Sequence, residues 1–365
     1  MQIDHNNKAD WNLKVLRLKY KIEKYLQGIW GEKKTEYVWD RIPFYKQMWQ
    51  NAAARLSAEF EELAWGIWEV RYGDQRTFIN IHKVQLDDPV ISSLAGNKPF
   101  CYMLMQKNGI PVPKHVTFSL NEFYKAVKFI EENGGYYVAK PAIGTGSGIG
   151  VTTHLKSVRE CRRAAALASL YSNEILLESL VPGECYRLLV LNGQMIHAVR
   201  RRGIRARGDG RSTLWQIVEK KNTLRKKAKV SNGRHLICKD RDLEATLLSQ
   251  GFSTDSVVES GHDVLIKSFD SPSTENVEVR TIYDEVISDS ICPEIIRVAQ
   301  MVAGLLNSRF AGIDIITRDP GLPLQVTGGV VNEINTNPGL HHHYLPSLDG
   351  EDPAVSVLKQ LFQIP

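Results

Sequence analysis

The chain contains 365 residues, of which 43% are hydrophobic and 24% are charged. These values are ordinary for globular proteins, and they exclude a disordered chain, a collagen-like fibre and a coiled coil. Lysine and arginine number 46 against 41 aspartates and glutamates, and a net charge of +5 on so long a chain gives no reason to expect nucleic acid as a partner. At roughly 100–200 residues per domain, we expect two or three domains.

The cysteine pattern and the lack of long apolar segments point to a reducing compartment. The five cysteines include no Cys-x-x-Cys pair, so neither a zinc ribbon nor a dithiol redox centre is indicated. The N-terminal residues mix charge throughout and lack the apolar core of a signal peptide. No apolar run reaches the roughly 18 residues of a membrane helix. We therefore expect a cytoplasmic protein that does not associate with membranes.

The first stretch, residues 1–96, is expected to form an N-terminal domain. Apolar residues recur among lysines and arginines over residues 9–29, which predicts a basic amphipathic helix. This helix packs on its own domain or, alternatively, contacts a partner or a membrane surface. Apolar residues at helical spacing predict a second helix over residues 42–64, and residues 66–84 alternate as strands do.

Residues 97–175 form the second stretch. A helix of about ten residues is predicted to end at Gly109, because glycine is favoured just after a helix C-terminus. A further helix is predicted over residues 121–132, followed by a buried strand over residues 136–140. A glycine-rich loop comes directly after this strand.

Residues 176–365 form the third stretch. A hairpin is predicted over residues 186–199, because Asn192-Gly193 is a strong signal for a type I′ turn. The polar segment 219–243 is predicted to be a solvated helix or a loop. The remaining predicted elements are a helix over 293–306 and strands over 311–316 and 330–334.

The glycine-rich loop, residues 144–150, has the composition of a phosphate-binding backbone. Four glycines in seven residues let the backbone approach a ligand closely, and Thr145 and Ser147 add hydroxyl groups. The loop is not a P-loop, since no Gly-Lys-Ser/Thr closes it, and it lacks the order of the dinucleotide fingerprint. Lys140, at the end of the preceding strand, is well placed to reach phosphate oxygens that the loop amides also bind.

A second set of polar residues lies on two predicted strands near the C-terminus. Glu333 and Asn335 are two residues apart and therefore share one face of an extended chain, while Asp314 lies on a neighbouring strand. Carboxylates inside apolar strands are uncommon, because burying an unpaired charge is costly. Three oxygen ligands on adjacent strands suit Mg²⁺ together with water and substrate phosphates.

These motifs, in this order and spacing, resemble the ATP-grasp ligases. The matching residues are Asn97, Lys98, 109–113, 138–141 with the glycine-rich loop, 177–178, Asp314 and 332–339. Within that family the chain is similar to the ATP-grasp half of the cyanophycin synthetases, through residues 41–43, 49–53, 186–190, Arg201, 208–210 and 212–213. The resemblance spans about residues 40–345 and rests on the combination of motifs.

The resemblance implies an α/β (α+β) fold of the ATP-grasp type, in which two α+β subdomains grip ATP behind a smaller N-terminal domain. Residues 97–175 would form the subdomain with the lid loop. Residues 176–365 would form the subdomain with the adenine hinge and the magnesium site. Because the chain ends at Pro365, without the Mur-ligase-like half of a cyanophycin synthetase, we expect a single amide ligation rather than polymerisation.

The resemblance also implies roles for individual residues. Glu178 and Leu180 would lie at the adenine hinge, and Glu184 would bind the ribose hydroxyls. The residues implied to bind the nucleotide are Lys98, Lys140, Gly144, Thr145, Gly146, Ser147, Gly148, Glu178, Leu180 and Glu184. Those implied to be catalytic are Arg201, Arg187 and Lys140. Arg201 would neutralise charge on the transferred phosphoryl group, Arg187 would face the acyl phosphate, and Lys140 would hold the nucleotide phosphates.

The metal and substrate residues come last in the sequence. Asp314, Glu333 and Asn335 would hold two Mg²⁺ ions, for which Mn²⁺ can substitute, against the ATP phosphates. The candidates for contact with the amine or with a substrate carboxylate are Gly339, His341, His342 and His343. Alternatively, one or two of these histidines pack in the protein or face solvent.

The expected reaction is ATP-dependent amide bond formation between an amino acid or peptide carboxylate and an amine, through an acyl phosphate, with release of ADP and phosphate. One alternative is acyl transfer to a carrier protein or peptide tail, in which an acidic carrier docks on the basic helix and on the basic run 225–227. Another is a nucleotide-binding regulator without turnover. The expected partners are small amino acids or peptides, and the resemblance implies a homodimer.

Overall fold

The computed structural model describes residues 12–22, 37–145, 148, 150–227, 237, 239, 241–267, 282–344 and 352–364. The helices in these residues are α1 (12–22), α2 (Tyr37–Arg55), α3 (Pro89–Ala95), α4 (Lys98–Lys107), α5 (Phe123–Asn133), α6 (Val158–Ala168), α7 (Leu214–Lys227), α8 (Arg241–Ser249), α9 (Pro293–Leu305), α10 (Leu324–Thr327) and α11 (Pro353–Phe362). In this part of the chain, no helix is both long and apolar enough to cross a membrane.

The strands are short and pair antiparallel throughout. They are β1 (Glu59–Ala64), β2 (Ile67–Tyr72), β3 (Gln75–Asn80), β4 (His115–Phe118), β5 (Tyr137–Pro141), β6 (Thr152–Leu155), β7 (Ile175–Ser179), β8 (Glu184–Leu191), β9 (Gln194–Arg207), β10 (Asp263–Lys267), β11 (Ile282–Val286), β12 (Phe310–Thr317) and β13 (Val330–Thr336). The N-terminal sheet has the order β1-β2-β3, and the lid sheet has the order β4-β7-β5-β6. The central sheet has the order β10-β9-β8-β12-β13, with β11 also paired to β9.

The central sheet is covered by a hydrophobic core on each face. Successive side chains of a strand point to opposite faces and therefore pack in different cores. On β8, Leu188 and Val190 pack in a core with α9. Leu189 and Leu191 pack on the opposite face, in a core that includes residues of α2, α11 and the N-terminal sheet. The segment before Asn97 is therefore packed directly onto the central sheet.

Several predicted elements are present with their ends shifted by a few residues. The helix predicted to end at Gly109 is α4, whose first turn is capped by the side chain of Asn97, which accepts a hydrogen bond from Phe100 N at 3.1 Å. The predicted hairpin is formed by β8 and β9. Its turn residues Asn192 and Gly193 have φ of +46° and +77°, as a type I′ turn requires.

The helix predicted over residues 42–64 is wrong in its C-terminal part. Helix α2 ends at Arg55, and residues 59–64 form β1. Ser57 breaks the helix in the left-handed region, with φ of +56°. After this point the chain is extended, and Phe60 pairs with Val70 of β2.

Helix α1 lies within the basic helix predicted over residues 9–29, whose other residues lie outside the described ones. Leu13 is 1% exposed and packs in the core of the lid sheet, in the same cluster as Phe118 and Cys161. Arg17 Nη2 donates to the carbonyl oxygen of Ser169 at 3.2 Å, after the end of α6. The helix thus packs on the lid sheet, whereas we expected it to pack on its own domain, residues 1–96, or to contact a partner or a membrane surface.

A small additional unit lies between β9 and β10. Leu214 and Val218 of α7, Leu243 of α8 and Val264 of β10 form its core. Within the polar segment 219–243, the structure shows α7 as far as Lys227, as the solvated helix of the prediction; residues 228–236 lie outside the described ones. We name residues 208–267 the inserted unit.

Candidate active site

A cleft of about 550 Å³ lies where the lid sheet, the central sheet and the N-terminal segment meet. The implied site residues that line it are Lys98, Lys140, Thr145, Gly148, Glu178, Leu180, Glu184, Arg187, Arg201, Asp314, Glu333, Asn335, Gly339, His341 and His342. Gly144 and His343 do not line it, and Gly146 and Ser147 lie outside the described residues. The cleft thus brings together residues from segments that are far apart in sequence.

On the lid side of the cleft, Lys140 is held by a buried hydrogen-bond network. Its Nζ lies 2.8 Å from Glu178 Oε1 and 3.3 Å from the hydroxyl of Tyr102. Tyr102 in turn donates to Glu178 Oε2 at 3.1 Å or to the carbonyl oxygen of Asn332 at 2.8 Å. The network joins β5 and β7 of the lid sheet to β13 of the central sheet. Burial and the charge of Glu178 raise the pKa of Tyr102 well above its ordinary value, so the hydroxyl keeps its proton.

Lys98 lies at the first turn of α4 and reaches across to the central sheet. Its Nζ lies 3.2 Å from Glu333 Oε1 and 3.2 Å from the carbonyl oxygen of Thr145. Lys98 is 7% exposed. One ammonium group therefore contacts both the start of the glycine-rich loop and the central sheet.

Asp314 is the most strongly bound carboxylate of the cleft. Arg187 Nε and Nη2 each donate to it at 2.6 Å, and Arg201 Nη1 donates to Oδ2 at 3.3 Å. Asn335 Nδ2 lies 3.5 Å from the same oxygen. Burial alone would raise the pKa of Asp314, but the charges of Arg187 and Arg201 outweigh it and hold that pKa below its ordinary value.

Strand register places these side chains on one face. Asp314 is paired with Arg187 of β8 on one side and with Glu333 of β13 on the other. Ile313 and Ile315, the neighbours of Asp314 on β12, are fully buried on the opposite face. We expected Glu333 and Asn335 to share a face and Asp314 to lie on a neighbouring strand, and this register agrees, because Asn335 pairs with Gly312, two residues before Asp314.

Leu180, implied to lie at the adenine hinge, and Glu184, implied to bind the ribose, differ in their surroundings. The backbone N–H of Leu180 donates to the carbonyl oxygen of Tyr136 at 2.8 Å, which fixes the end of β7. Glu184 pairs with Arg200 at 3.0 Å and with Arg202 at 3.4 Å. Its side chain is 41% exposed, so it faces the open side of the cleft.

The glycine-rich loop begins in a left-handed conformation that favours glycine. Gly144 has φ of +75°, and its N–H donates to the carbonyl oxygen of Gly96 at 3.3 Å, which anchors the loop beside α4. Gly148 also has positive φ, at +78°. A side chain at either position would require strained backbone, which explains the glycine spacing.

The three consecutive histidines have different surroundings. His341 Nδ1 lies 2.7 Å from the hydroxyl of Tyr45, and the ring centroids of His341 and His342 are 3.9 Å apart. His343 is fully buried, and its Nδ1 lies 2.9 Å from Nδ1 of His197 on β9. Burial and the neighbouring charges of His197, Arg187 and Arg201 lower the pKa of His343 well below its ordinary value, so it is neutral.

Some lining residues were not singled out from the sequence. Tyr45 and His82 come from the residues before Asn97, and Arg202 and Arg205 extend from β9. Tyr102 does not line the cleft but contacts Lys140, which does. Tyr45 could be read only as an apolar position of a helix, because its spacing matches a core face. The cations in the run 200–207 were visible in the sequence, but which of them line the cleft was not.

The donor set at Asp314, Glu333 and Asn335 fits a magnesium site. Magnesium prefers oxygen ligands, and these residues offer two carboxylates and an amide oxygen on paired strands. No group of three or more His, Cys, Asp or Glu residues suited to a metal occurs in the described residues, and the third member of this set is an amide. The carboxylates are paired with Lys98 and Arg187, so a bound ion would share them with these cations.

The comparison with known proteins gives relatives rather than a family assignment. No family model matches the chain. It is 29% identical over 276 residues to a cyanophycin synthetase from a Synechocystis species, covering 74% of this chain and 30% of the relative. It is 24% identical over 310 residues to the glutathione biosynthesis bifunctional protein GshAB of Listeria innocua, covering 82% of this chain and 38% of the relative. The chain thus spans about a third of the length of the relatives that it matches.

The fold comparison agrees with the sequence. The crystal structure of a bifunctional glutathione synthetase from Pasteurella multocida superimposes with a TM-score of 0.61 at 20% identity, covering 87% of this chain and 43% of that one. An identity this low supports a statement about fold alone. The predicted α+β fold of the ATP-grasp type is confirmed, and the sequence resembles the cyanophycin synthetases.

Proposed function

We propose that the protein is an ATP-dependent carboxylate–amine ligase, which forms an amide bond between an amino acid or peptide acid and an amine and releases ADP and phosphate. The observation that carries this proposal is the row of paired charges in one cleft, Lys140 with Glu178, Lys98 with Glu333, and Arg187 and Arg201 with Asp314. The likeness to the cyanophycin synthetases and to GshAB supports it, since both are named as biosynthetic enzymes.

In the first step, the acid oxygen attacks the γ-phosphorus of ATP. The bond to the β–γ bridging oxygen breaks, and ADP leaves with the electron pair. Lys98 and Lys140 hold the phosphates, while Arg187 and Arg201 lie where charge accumulates on the transferred group. Two bound magnesium ions would supply the remaining charge screening, held by Asp314, Glu333 and Asn335.

In the second step, the amine nitrogen attacks the carbonyl carbon of the acyl phosphate. The carbon–oxygen bond to the phosphoryl group breaks, inorganic phosphate leaves with the electron pair, and the nitrogen loses its proton to water. An acyl phosphate hydrolyses readily, so the cleft must exclude water until the amine is bound. The glycine-rich loop anchored at Gly144 is the element suited to cover it.

The adenosine part of ATP is proposed to bind at the open end of the cleft. Leu180 lies beside the buried carboxylate of Glu178, at the end of β7. Glu184 is half-exposed and bears an acceptor suited to ribose hydroxyls. Arg200 and Arg202 hold this carboxylate in place.

The test is the dependence of ADP release on both substrates. The protein with ATP and Mg²⁺ is screened against the twenty amino acids as acids, with hydroxylamine as the amine, and acyl hydroxamate is measured by mass spectrometry. We expect hydroxamate with at least one acid, and no hydroxamate without ATP. Equal ADP release with and without acid and amine, together with no hydroxamate from any of the twenty, would overturn the proposal.

Two further functions stay as alternatives with their own tests. An acidic carrier would dock on the lysines of α1, of which Lys14, Lys19 and Lys21 are exposed. Activity that is insensitive to salt argues against it. A regulator without turnover would keep its biological effect in Glu333→Ala, whereas the ligase would lose it.

A homodimer is also a proposal, and the mass of the protein in solution tests it.

A cytoplasmic location is also a proposal. The cysteines at positions 101, 161, 185 and 292 are free and buried, and burial raises the pKa of the thiols of Cys101, Cys161 and Cys185 to about 12. Thiols of this kind are compatible with a reducing compartment. Localisation of the tagged protein in its own cells is the test.

A further inference from the structure

The buried hydroxyl group of Tyr102 has two acceptors for its single proton. It lies 2.8 Å from the carbonyl oxygen of Asn332 and 3.1 Å from Glu178 Oε2, and an ionised carboxylate and a carbonyl only accept hydrogen bonds. Lys140 Nζ donates to the hydroxyl oxygen at 3.3 Å. Burial raises the pKa of Tyr102 well above its ordinary value, so the phenol keeps its proton. The hydroxyl therefore donates to one of its two acceptors at a time.

The carboxylate of Glu178 depends on Lys140 for its neutralisation. Glu178 is 4% exposed, and Lys140 Nζ lies 2.8 Å from its Oε1. In the part of the chain that the structure describes, Lys140 is the cation paired with Glu178, and Tyr102 is the other side chain that can donate to it. A buried carboxylate that loses its cation is costly unless another donor compensates it.

ATP competes with Glu178 for Lys140. This lysine is proposed to bind the phosphates, and it lines the cleft from β5. It is 5% exposed, and its ammonium group donates inward to Glu178 and Tyr102. To reach a phosphate in the cleft, the ammonium group has to move away from both. ATP binding would then leave Glu178 without its cation.

The position of Tyr102 suits it to compensate Glu178 at that moment. Tyr102 is on α4, one turn after Lys98, and it does not line the cleft. Its side chain is 1% exposed, and its ring packs on His115 with the centroids 4.9 Å apart. Glu178 belongs to the lid sheet and Asn332 to the central sheet, so the hydroxyl lies between the two. With the ring held in place, rotation of the O–H bond is sufficient to exchange the acceptor.

We propose that Tyr102 is a positioning residue that compensates Glu178 when ATP binds. Without nucleotide, Lys140 neutralises Glu178, and the Tyr102 hydroxyl donates to Asn332, the shorter of its two contacts. With ATP bound, Lys140 moves to the phosphates and the hydroxyl turns to Glu178 Oε2. No proton is transferred and no covalent bond changes. This inference rests on the proposed function, because it requires Lys140 to bind the phosphates.

The experiment measures the Kd of ATP with Mg²⁺ by calorimetry, in the absence of acid and amine. Tyr102→Phe keeps the ring and removes the hydroxyl, so Glu178 should retain Lys140 and ATP should bind at least about tenfold more weakly, the size of a lost hydrogen bond to a charged group. Tyr137→Phe is the matched control. The Tyr137 hydroxyl belongs to a buried side chain of the lid sheet that does not line the cleft, and it donates to the carbonyl oxygen of Ile130 at 3.0 Å. Its removal should leave the Kd unchanged.

A second substitution separates this exchange from a purely structural role. Glu178→Gln removes the charge that needs compensation, so in its presence the effect of Tyr102→Phe on the Kd should fall below about threefold. A structural role of Tyr102 predicts the same fold-change with and without Glu178→Gln. In steady-state rates, Tyr102→Phe should raise the KM of ATP and leave kcat within about threefold, since the cost falls on the binding step.

A crystal structure with bound ADP tests the exchange in the wild-type protein and therefore does not depend on the folding of a variant. Lys140 Nζ should be within hydrogen-bond distance of a phosphate oxygen and no longer within that distance of Glu178. The Tyr102 hydroxyl should be closer to Glu178 Oε2 than to the carbonyl oxygen of Asn332.

The outcomes separate this inference from the proposed function. If the wild type does not bind ATP, both are wrong. If the wild type binds ATP and Tyr102→Phe, shown to be folded by thermal unfolding, has the same Kd, the exchange at Tyr102 is wrong and the ligase stands. The same conclusion follows if the effect of Tyr102→Phe persists undiminished with Glu178→Gln, or if Lys140 keeps its contact with Glu178 when ADP is bound.

Discussion

Arg187 binds Asp314 through two hydrogen bonds of 2.6 Å, from Nε to Oδ1 and from Nη2 to Oδ2, between neighbouring strands of the central sheet. Both side chains are buried, at 9% and 4% exposure. Such a pair balances a large desolvation cost against a strong attraction, so removing one member leaves the other charge uncompensated. This geometry makes stability and catalysis depend on the same two residues.

We predict that Asp314→Leu lowers the free energy of unfolding by about 3–5 kcal/mol, because Arg187 and Arg201 are left beside an apolar side chain. Arg187→Met should cost less, since Arg201 still contacts Asp314. The double variant Arg187→Met/Asp314→Leu should lose less unfolding free energy than the sum of the losses in the two single variants. Denaturant titration measures all three, and additive losses would contradict a coupled pair.

Lys140→Ala should lower kcat/KM about 30-fold, which corresponds to about 2 kcal/mol of lost transition-state stabilisation. The reason is that Lys140 is proposed to bind the phosphates. The exposed Lys128 of α5 does not line the cleft. Lys128→Ala is therefore the control. Initial rates of ADP release give the comparison. A near-wild-type rate for Lys140→Ala would show that Lys140 does not bind the phosphates.

Asn335→Ala should raise the Mg²⁺ concentration for half-maximal rate more than it raises the KM of the acceptor amine. Its amide oxygen belongs to the proposed metal set, and the other two ligands remain. A metal titration at saturating amine measures the first quantity, and removal of metal with a chelator should abolish ADP release in the wild type. If the variant changes only the acceptor KM, Asn335 is a substrate residue.

The buried pair of His197 and His343 predicts a loss of stability on mild acidification. Burial lowers the pKa of both imidazoles from the ordinary value of 6.5, so the unfolded chain binds protons at a pH where the folded chain does not. The free energy of unfolding should therefore fall as pH drops below about 6.5, by up to about 1.4 kcal/mol per pH unit for each histidine. The lowered pKa of Asp314 adds a further loss only below about pH 4.

The measurement is the slope of unfolding free energy against pH between 5 and 7. His197→Leu/His343→Leu should have a shallower slope than the wild type, whatever its absolute stability. His262→Gln, at an exposed site, should not change the slope. An unchanged slope in the double variant would mean that the pair is not responsible.

Gly339→Ala should raise the acceptor KM without changing the rate of hydroxamate formation. The added methyl group would overlap His341 and displace it from Tyr45. Gly304→Ala on α9 is the matched control, because a Cβ there meets nothing within 4 Å. Alanine at that helical position should be neutral or stabilising by up to about 1 kcal/mol. Equal kinetics for the two variants would show that the fit at Gly339 is irrelevant to the acceptor.

Local rules were sufficient where a signal is carried by neighbours in sequence. The alternation that places Glu333 and Asn335 on one face and the Asn192-Gly193 turn depend on a few residues each, and the structure has both. The order of the motifs resembles that of the ATP-grasp ligases, and this resemblance predicted the fold. The roles of the individual site residues stay predictions.

What the sequence could not provide are contacts between distant segments. The pairing of Tyr45 with His341 joins residues 296 positions apart, and that of His197 with His343 joins residues 146 apart. Helical spacing made Phe60 look like part of α2, because an amphipathic helix and a half-buried strand can share apolar positions over a short window. Only the left-handed Ser57 separates the two readings.

The core that joins α2 and the N-terminal sheet to the back of the central sheet also contains α11, through Val357 and Leu358. Its other members include Leu189 and Phe310, which lie on the same strands as Arg187 and Asp314. The residues before Asn97, which contribute Tyr45 and His82 to the cleft, are therefore not a separable module. Exchange of the N-terminal segment between related enzymes, in evolution or in the laboratory, would have to carry α11 and the matching face of the central sheet with it.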